Sequence, residues 1–457
     1  MISLTFILHN KYLFKILLFY KFKFFCLQCI LLANISLEGN MNPLEQTTKD
    51  IDNYYISLDT LYPKSYKKST TSPYTKTRVI LMNGTEYESV WFLHQFARHC
   101  DNDEIKNMIA VVRCQEQQQQ KLIACLKPLN ESILETTIAY EQLAIDLTAT
   151  LAQNDTDKAN IDALNFALLE DFDHLYRFSN LMMLDVKNAD PKKLMGGLTE
   201  ITPGRPTIAH HRYPKDNVKR AMNANKSDLY SKLVASIITA AEQQTMNYYM
   251  NISQWYKNDL GRKLYAEIGL VEEEHVTQYE SLKDPTCTWL EQWVLHEYTE
   301  AYLYFSAYSE EKDPYIKKIW YEFYEMECAH LKIACELLKK YEKTPYSKVI
   351  GTGEFPKLLT LGTNKEYIRE VLERTIMLTG DRQKYIDVMR LKPNADFFIY
   401  QSEIIKDEEK IPSHLVINTA IKKFGKDYRY EDKSNPVPEL KNRKKDNTTI
   451  ARKNSQT

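Results

Sequence analysis

One spacing pattern constrains the fold of this chain more than any other feature: a glutamate followed 30 residues later by a Glu-x-x-His motif. The pattern occurs twice, from Glu242 to His275 and from Glu297 to His330, with a helix-breaking stretch near the middle of each interval. Glu and His three positions apart lie on one helix face. Because antiparallel helices rise equally on both sides of a turn, the first glutamate reaches the level of the motif. The sequence therefore predicts two helical hairpins, each with ligand-type side chains at one height.

Residues 83–342 have a helix-forming composition, interrupted at intervals by helix-breaking residues. Glycine is scarce, at 12 of 457 residues, and Leu, Glu, Lys, Gln and Ala recur in long runs. Breakers divide the region into four helices, a linker and four more helices. The predicted turns are Cys100–Asp103, Lys127–Asn130, Asn154–Asp157, Lys257–Asp259, Lys283–Pro285 and Lys312–Pro314. Asp284 and Asp313 each precede a proline, which predicts a helix start. The predicted fold class is all-α, and no strand is needed to explain the sequence.

The first four predicted helices repeat the pattern of the last four. Subtracting 156 from the six positions of the second half gives ligand-type residues at five positions. The six matching positions are Glu86, Glu116, Gln119, Glu141, Asp171 and His174. We interpret this match as an internal duplication. The first copy is expected to bind metal less well, because Gln119 replaces an imidazole and Asp171 is shorter than glutamate.

The second half carries the complete constellation, which consists of Glu242, Glu272, His275, Glu297, Glu327 and His330. We expect these six side chains to meet at one point inside a four-helix bundle. Buried carboxylates and imidazoles without a partner are costly, so convergence predicts a bound two-metal cluster. Glu300 lies one turn beyond Glu297 and is interpreted either as a further ligand or as a solvated surface residue.

This ligand set resembles that of the ferritin-like superfamily and, within it, the rubrerythrin-like branch. The resemblance implies two tandem ferritin-like four-helix bundles, the second with a site for two iron or manganese ions that reacts with peroxide or oxygen. By the same resemblance Glu272 and Glu327 would bridge the metals, Glu242 and Glu297 would be terminal ligands, and Glu300 would match an additional helix carboxylate. His275 and His330 would each hold one metal.

Two departures from that family shape the functional hypothesis. The six cysteines beyond residue 40 include no CxxC pair, so an internal rubredoxin-type electron donor is missing and an external donor is expected. The join from Glu272 to Glu297 spans only 25 residues, which favours up-down-up-down topology or a very compressed crossover over the long crossover common in ferritin-like folds. The alternative hypothesis is a non-catalytic ferritin-like helical protein that stores metal or scaffolds partners.

The remaining segments are predicted from composition. We expect a leader or a start codon assigned too early at 1–40, an irregular arm at 41–82, a degenerate bundle at 83–185, a linker at 186–224, the metal-binding bundle at 225–342, a small mostly helical region at 343–427 and a disordered tail at 428–457. His210 and His211 are expected to be exposed in the linker. The net charge of -1 predicts no nucleic-acid partner and makes a membrane an unexpected one, and the scattered cysteines favour the cytoplasm.

Overall fold

The computed structural model describes residues 41–441. The leader expected at 1–40 and the part of the tail from 442 onward lie outside these residues. The described chain is mostly helical, which confirms the all-α class at this level. No helix within 41–441 is both long enough and apolar enough to cross a bilayer.

Eight long helices form the main body as four antiparallel hairpins. They are α1 (Pro73–His99), α2 (Asp103–Cys125), α3 (Ile133–Asn154), α4 (Lys158–Asp185), α5 (Leu229–Trp255), α6 (Asp259–Glu280), α7 (Trp289–Glu310) and α8 (Pro314–Leu337). All six predicted turns fall between these helices. The first helix begins at Pro73 rather than near residue 83, so the expected arm is shorter than predicted.

The helix starts follow from local capping chemistry. Asp313 accepts hydrogen bonds from the first backbone N–H groups of α8, as its Asp-Pro sequence predicts. Asp284 does not start a helix. Its carboxylate accepts from the backbone N–H of Ala224 in the preceding connector and from that of Thr286 in a turn. Helix α7 begins later, after Thr288, which forms a reciprocal capping box with Glu291.

The hairpins pair across the two halves of the sequence. Helices α1, α3, α5 and α7 form a central group, in which α1 packs against α3, α5 and α7. Helix α2 packs against α8 on one side of this group, and α4 packs against α6 on the other. The expected division into one bundle at 83–185 and a second at 225–342 is therefore not what the structure shows, because each helix carrying a ligand motif meets a partner from the opposite half.

Helix α9 (Lys365–Thr375), strands β1 (Leu378–Asp381) and β2 (Lys384–Asp387), α10 (Asp396–Ile404) and α11 (Pro412–Phe424) form the C-terminal region. Helices α9 and α11 pack on α4, so this region covers one side of the body. The antiparallel β-hairpin was not predicted from the sequence. Tyr430 pairs with Ile201 through two backbone hydrogen bonds, so the expected disorder does not begin at residue 428.

Shorter helical turns lie outside these elements at Pro191–Leu194, Thr207–His210, Ser347–Ile350 and Pro438–Lys441, and a π-helical turn at Leu338–Glu342 extends α8. The connector between α4 and α5 is not an exposed linker. His210 is fully buried and His211 is only 9% exposed, so the prediction of two exposed histidines is wrong. The sequence did not reveal this burial, because the connector has no helical or strand periodicity from which a buried face could be read.

Candidate metal centres

Two clusters of buried carboxylates and imidazoles lie inside the helical body. We call the first centre A; it consists of Glu86, Glu116, Glu297, Glu300, Glu327 and His330, with Gln119 at its edge. We call the second centre B; it consists of Glu141, Asp171, His174, Glu242, Glu272 and His275. Every one of these ligand-type side chains is at most 1% exposed. In centre A, one ligand atom each from Glu116, Glu297, Glu327 and His330 lie within 4.8 Å of one another.

Centre B contains two overlapping groups of the same tightness. One ligand atom each from Asp171, Glu242, Glu272 and His275 lie within 4.8 Å of one another, and so do those of Glu141, His174 and Glu272. Glu272 belongs to both groups. This is the arrangement in which one carboxylate can bridge two metal ions.

The single meeting point expected in the second half is therefore replaced by two. Glu242 and Glu272 lie in centre B, whereas Glu297 and Glu327 lie in centre A. The equal spacing of 30 residues fixes the level of the ligands within a hairpin, but it does not determine which hairpins meet. Because the duplicated half carries the same spacing, exchanged partners satisfy the pattern equally well.

The imidazole of His275 is held between a carboxylate and the ligands of centre B. Its Nδ1 lies 3.0 Å from Glu272 Oε2 and 3.4 Å from Asp171 Oδ1. Its Nε2 lies 2.8 Å from Glu170 Oε2. A carboxylate behind an imidazole fixes the ring orientation and leaves the opposite nitrogen free to bind metal. The other imidazole of the centre, His174, places Nδ1 3.0 Å from Glu272 Oε1.

Glu170 is kept ionised by two arginines of the buried connector. Arg205 Nη1 and Arg212 Nη1 lie 2.8 Å and 2.6 Å from Glu170 Oε1. Burial alone would raise the pKa of this carboxyl group, but the charge of Arg212, the hydrogen bond with His275 and the charge of Arg205 hold it well below its usual value. The connector therefore supplies the cations that sustain the carboxylate behind His275. Neither Glu170 nor these arginines were identified from the sequence.

In centre A, different groups contact the ligand-type side chains. His330 Nδ1 lies 3.0 Å from Glu327 Oε2, while its Nε2 lies 2.9 Å from the neutral amide oxygen of Gln115. Gln119, which replaces a histidine, donates from its side-chain amide to Glu327. The phenol of Tyr304 donates to Glu86.

A positional rule relates the groups behind the two imidazoles. Gln115 precedes the ligand Glu116 in α2 and contacts His330 of α8, while Glu170 precedes the ligand Asp171 in α4 and contacts His275 of α6. The residue before a motif carboxylate thus faces the imidazole of the partner helix. This position was the signal in the sequence that could have identified both groups.

The carboxylates of centre A lie close together in a buried site, where water does not screen their mutual repulsion. Burial raises the pKa of Glu116 to about 8, and the charge of Glu327 adds to that effect. Burial and the charges of Glu116 and Glu327 likewise raise the pKa values of Glu297 and Glu300 well above normal. Among residues 41–441, no lysine or arginine forms an ion pair with these carboxylates. Glu300 is fully buried, so its interpretation as a solvated surface residue is wrong.

Oxygen atoms without hydrogen-bond partners point into both centres. In centre A these include both carboxylate oxygens of Glu116 and one each of Glu86, Glu297 and Glu300. In centre B they include both oxygens of Asp171 and of Glu242 and one each of Glu141 and Glu272. Buried polar atoms are almost always satisfied, and buried charges are paired or coordinate metals. The donor types and the unsatisfied oxygens therefore fit a divalent cation in each centre.

The expected ranking of the two sequence copies does not translate into a ranking of the two centres, because each centre takes one hairpin from each copy. Centre B holds four carboxylates and two imidazoles, the full set expected from the sequence. Centre A holds one imidazole and Gln119, with Glu300 as an extra carboxylate. Comparison of the chain with protein-family models, with curated proteins and with solved structures gave no match.

Proposed function

We propose that the chain is a di-metal carboxylate protein with a two-metal site in each centre, and that it carries out redox chemistry on peroxide or oxygen in the manner of rubrerythrin-like proteins. The observation that carries the proposal is the convergence, at two points, of imidazoles with buried carboxylates that retain oxygens without a hydrogen-bond partner. A carboxylate removed from water without compensation costs several kcal/mol. Metal ions are the compensation that this donor set accepts.

Iron and manganese are the ions we favour. Carboxylate and imidazole donors suit both metals, and the centres offer no thiolate, which softer metals prefer. Cys328 is the nearest cysteine in sequence to a ligand, and burial raises the pKa of its thiol, which disfavours the thiolate needed for metal binding.

The two centres differ in the total charge of their carboxylates. The four carboxylates of centre B (Glu141, Asp171, Glu242 and Glu272) neutralise two divalent ions. Centre A has five carboxylates, so two divalent ions leave one negative charge, which one trivalent and one divalent ion would cancel. We therefore assign the redox reaction to centre A. Centre B is then suited to holding its metals in the divalent state.

The metal pair would supply Lewis acidity and electron transfer to a bound oxygen species. The residues of the chain hold the ligand side chains in position and exclude water from the centres. Trp293 donates from its indole N–H to Glu297, and Tyr304 donates to Glu86, so two carboxylates of centre A are fixed by aromatic donors. Tyr249 holds Glu141 of centre B in the same way. Electrons must come from an external donor.

Metal analysis and a peroxide assay of the full-length chain test this proposal. We expect about four metal ions per chain after expression with added iron or manganese, two for each centre. We also expect consumption of peroxide coupled to an added reductant. Fewer than about one ion per chain would rule out the di-metal proposal. Full loading without any turnover would favour the alternative, a non-catalytic protein that stores metal or scaffolds partners.

A further inference from the structure

A cavity of about 320 Å³ opens beside centre A, between α1, α5 and α7. Phe92, Met222 and Leu295 give it apolar walls, and Lys232 and His296 contribute polar groups. Small-molecule sites commonly begin at about 300 Å³ and combine apolar walls with a few polar groups.

One imidazole separates this cavity from centre A. His296 Nε2 lies 3.3 Å from Glu88 Oε2 and 4.0 Å from Oε2 of Glu300, which belongs to centre A. The ring of His296 stacks on Phe92 with 5.0 Å between centroids, which fixes its position in the cavity wall. A molecule in the cavity would therefore lie one side chain away from the cluster.

The carboxylates that line the cavity are already engaged by the protein. Asp284 accepts hydrogen bonds from the backbone N–H groups of Ala224 and Thr286. Glu291 accepts from the backbone N–H of Thr288, the N-cap residue of α7. Glu88 faces His296, with Lys283 Nζ at 4.0 Å from its other oxygen. Each acidic group of the lining therefore already has a donor or a cation from the protein beside it.

Two lysines of the cavity have no carboxylate partner. Within the described chain, no carboxylate oxygen lies within 4.0 Å of Lys232 Nζ or Lys348 Nζ, although both side chains line the space. Lys232 donates one hydrogen bond, to the backbone oxygen of Val349 at 3.1 Å, so its ammonium retains two further donors. The cavity therefore presents two ammonium groups without a close carboxylate next to its apolar walls.

We propose that this cavity binds a small organic anion with an apolar body, such as an aromatic carboxylate. Its carboxylate pairs with Lys232 and Lys348, and its body packs against Phe92, Met222 and Leu295. The statement that the ligand lies beside a metal ion rests on the proposed function, whereas binding itself does not. The bound anion would then be an organic molecule that lies next to centre A.

Calorimetric titration of benzoate into the full-length protein, both metal-free and metal-loaded, tests the binding. We expect Lys232→Met and Lys348→Met each to weaken binding by about tenfold, because each removes a charge-assisted contact. Lys348 is exposed, so its replacement leaves the fold intact. The control Lys339→Met removes an exposed lysine away from the cavity and should leave the affinity unchanged. Equal binding of benzyl alcohol, or affinity that neither cavity variant changes, would overturn the inference.

Paramagnetic broadening of benzoate by bound manganese tests the location. In manganese-loaded protein, the ring-proton resonances should broaden, and Glu327→Ala, which removes a ligand of centre A, should abolish the effect. Glu272→Ala, which affects centre B, should preserve it. Broadening that survives Glu327→Ala would contradict the location. If benzoate binds and no metal is found, only the proposed function fails; if metal binds and benzoate does not, only this inference fails.

Discussion

The pairing of hairpins across the sequence halves makes a sharp prediction about metal content. Glu272 touches both imidazoles of centre B, at 3.0 Å from His174 and from His275, so Glu272→Ala removes the carboxylate common to both metal positions. Glu327 contacts His330 at 3.0 Å in centre A. Each replacement should therefore empty one centre and spare the other. Metal content should fall from about four ions per chain to about two in each single variant.

Mass spectrometric metal analysis after gel filtration measures this directly. The double variant should hold no stoichiometric metal, because losses at distant independent sites add. Glu273→Ala is a matched control, since Glu273 is the exposed neighbour of Glu272 on the same helix. If all four glutamates of the second half shared one site, either single variant would remove every ion. That outcome would refute the exchanged pairing.

Three further predictions test the surroundings of the centres. Glu170→Gln should weaken metal binding at centre B by roughly 10–100-fold in a chelator competition while leaving centre A unchanged, because it alters the group that orients its imidazole. Metal-free protein should lose thermal stability as pH rises from about 4.5 to about 8, because the raised pKa of Glu116 favours the protonated folded state at low pH and this advantage disappears above its folded pKa. Metal should suppress that dependence, and an unchanged melting temperature across the range would contradict the argument. Arg78→Ala should destabilise the fold by roughly 3–5 kcal/mol in urea unfolding, because it leaves buried Glu311 without its ion-pair partner, whereas Lys318→Ala at an exposed pair should cost less than about 1 kcal/mol.

The helices and their ligand faces could be predicted from local patterns. Each turn is marked by residues that break a helix, and Asp313 predicts the start of α8 because capping depends on a few neighbouring residues. The identity of the candidate ligands also follows from spacing, since Glu and His three apart must share a face. All twelve residues of the two centres, Glu300 included, were candidates on the sequence alone.

The grouping of those ligands was decided by tertiary structure. Hairpins with the same spacing are interchangeable as far as periodicity is concerned, so the amino-acid pattern leaves their partners open. Contacts far apart in the chain make the choice, such as the buried pair of Arg78 in α1 with Glu311 at the end of α7.

The connector illustrates the same division between local and long-range information. Arg205 and Arg212 lie in a stretch that has the composition of a polar loop, yet they are buried because Glu170 of α4 offers a carboxylate to pair with them. The sequence by itself determined the helices, the turns and the chemical types of the ligands, since these depend on residues within a few turns of one another. Only the tertiary structure decided that there are two centres and which charges surround each, because that depends on which surfaces pack together and exclude water.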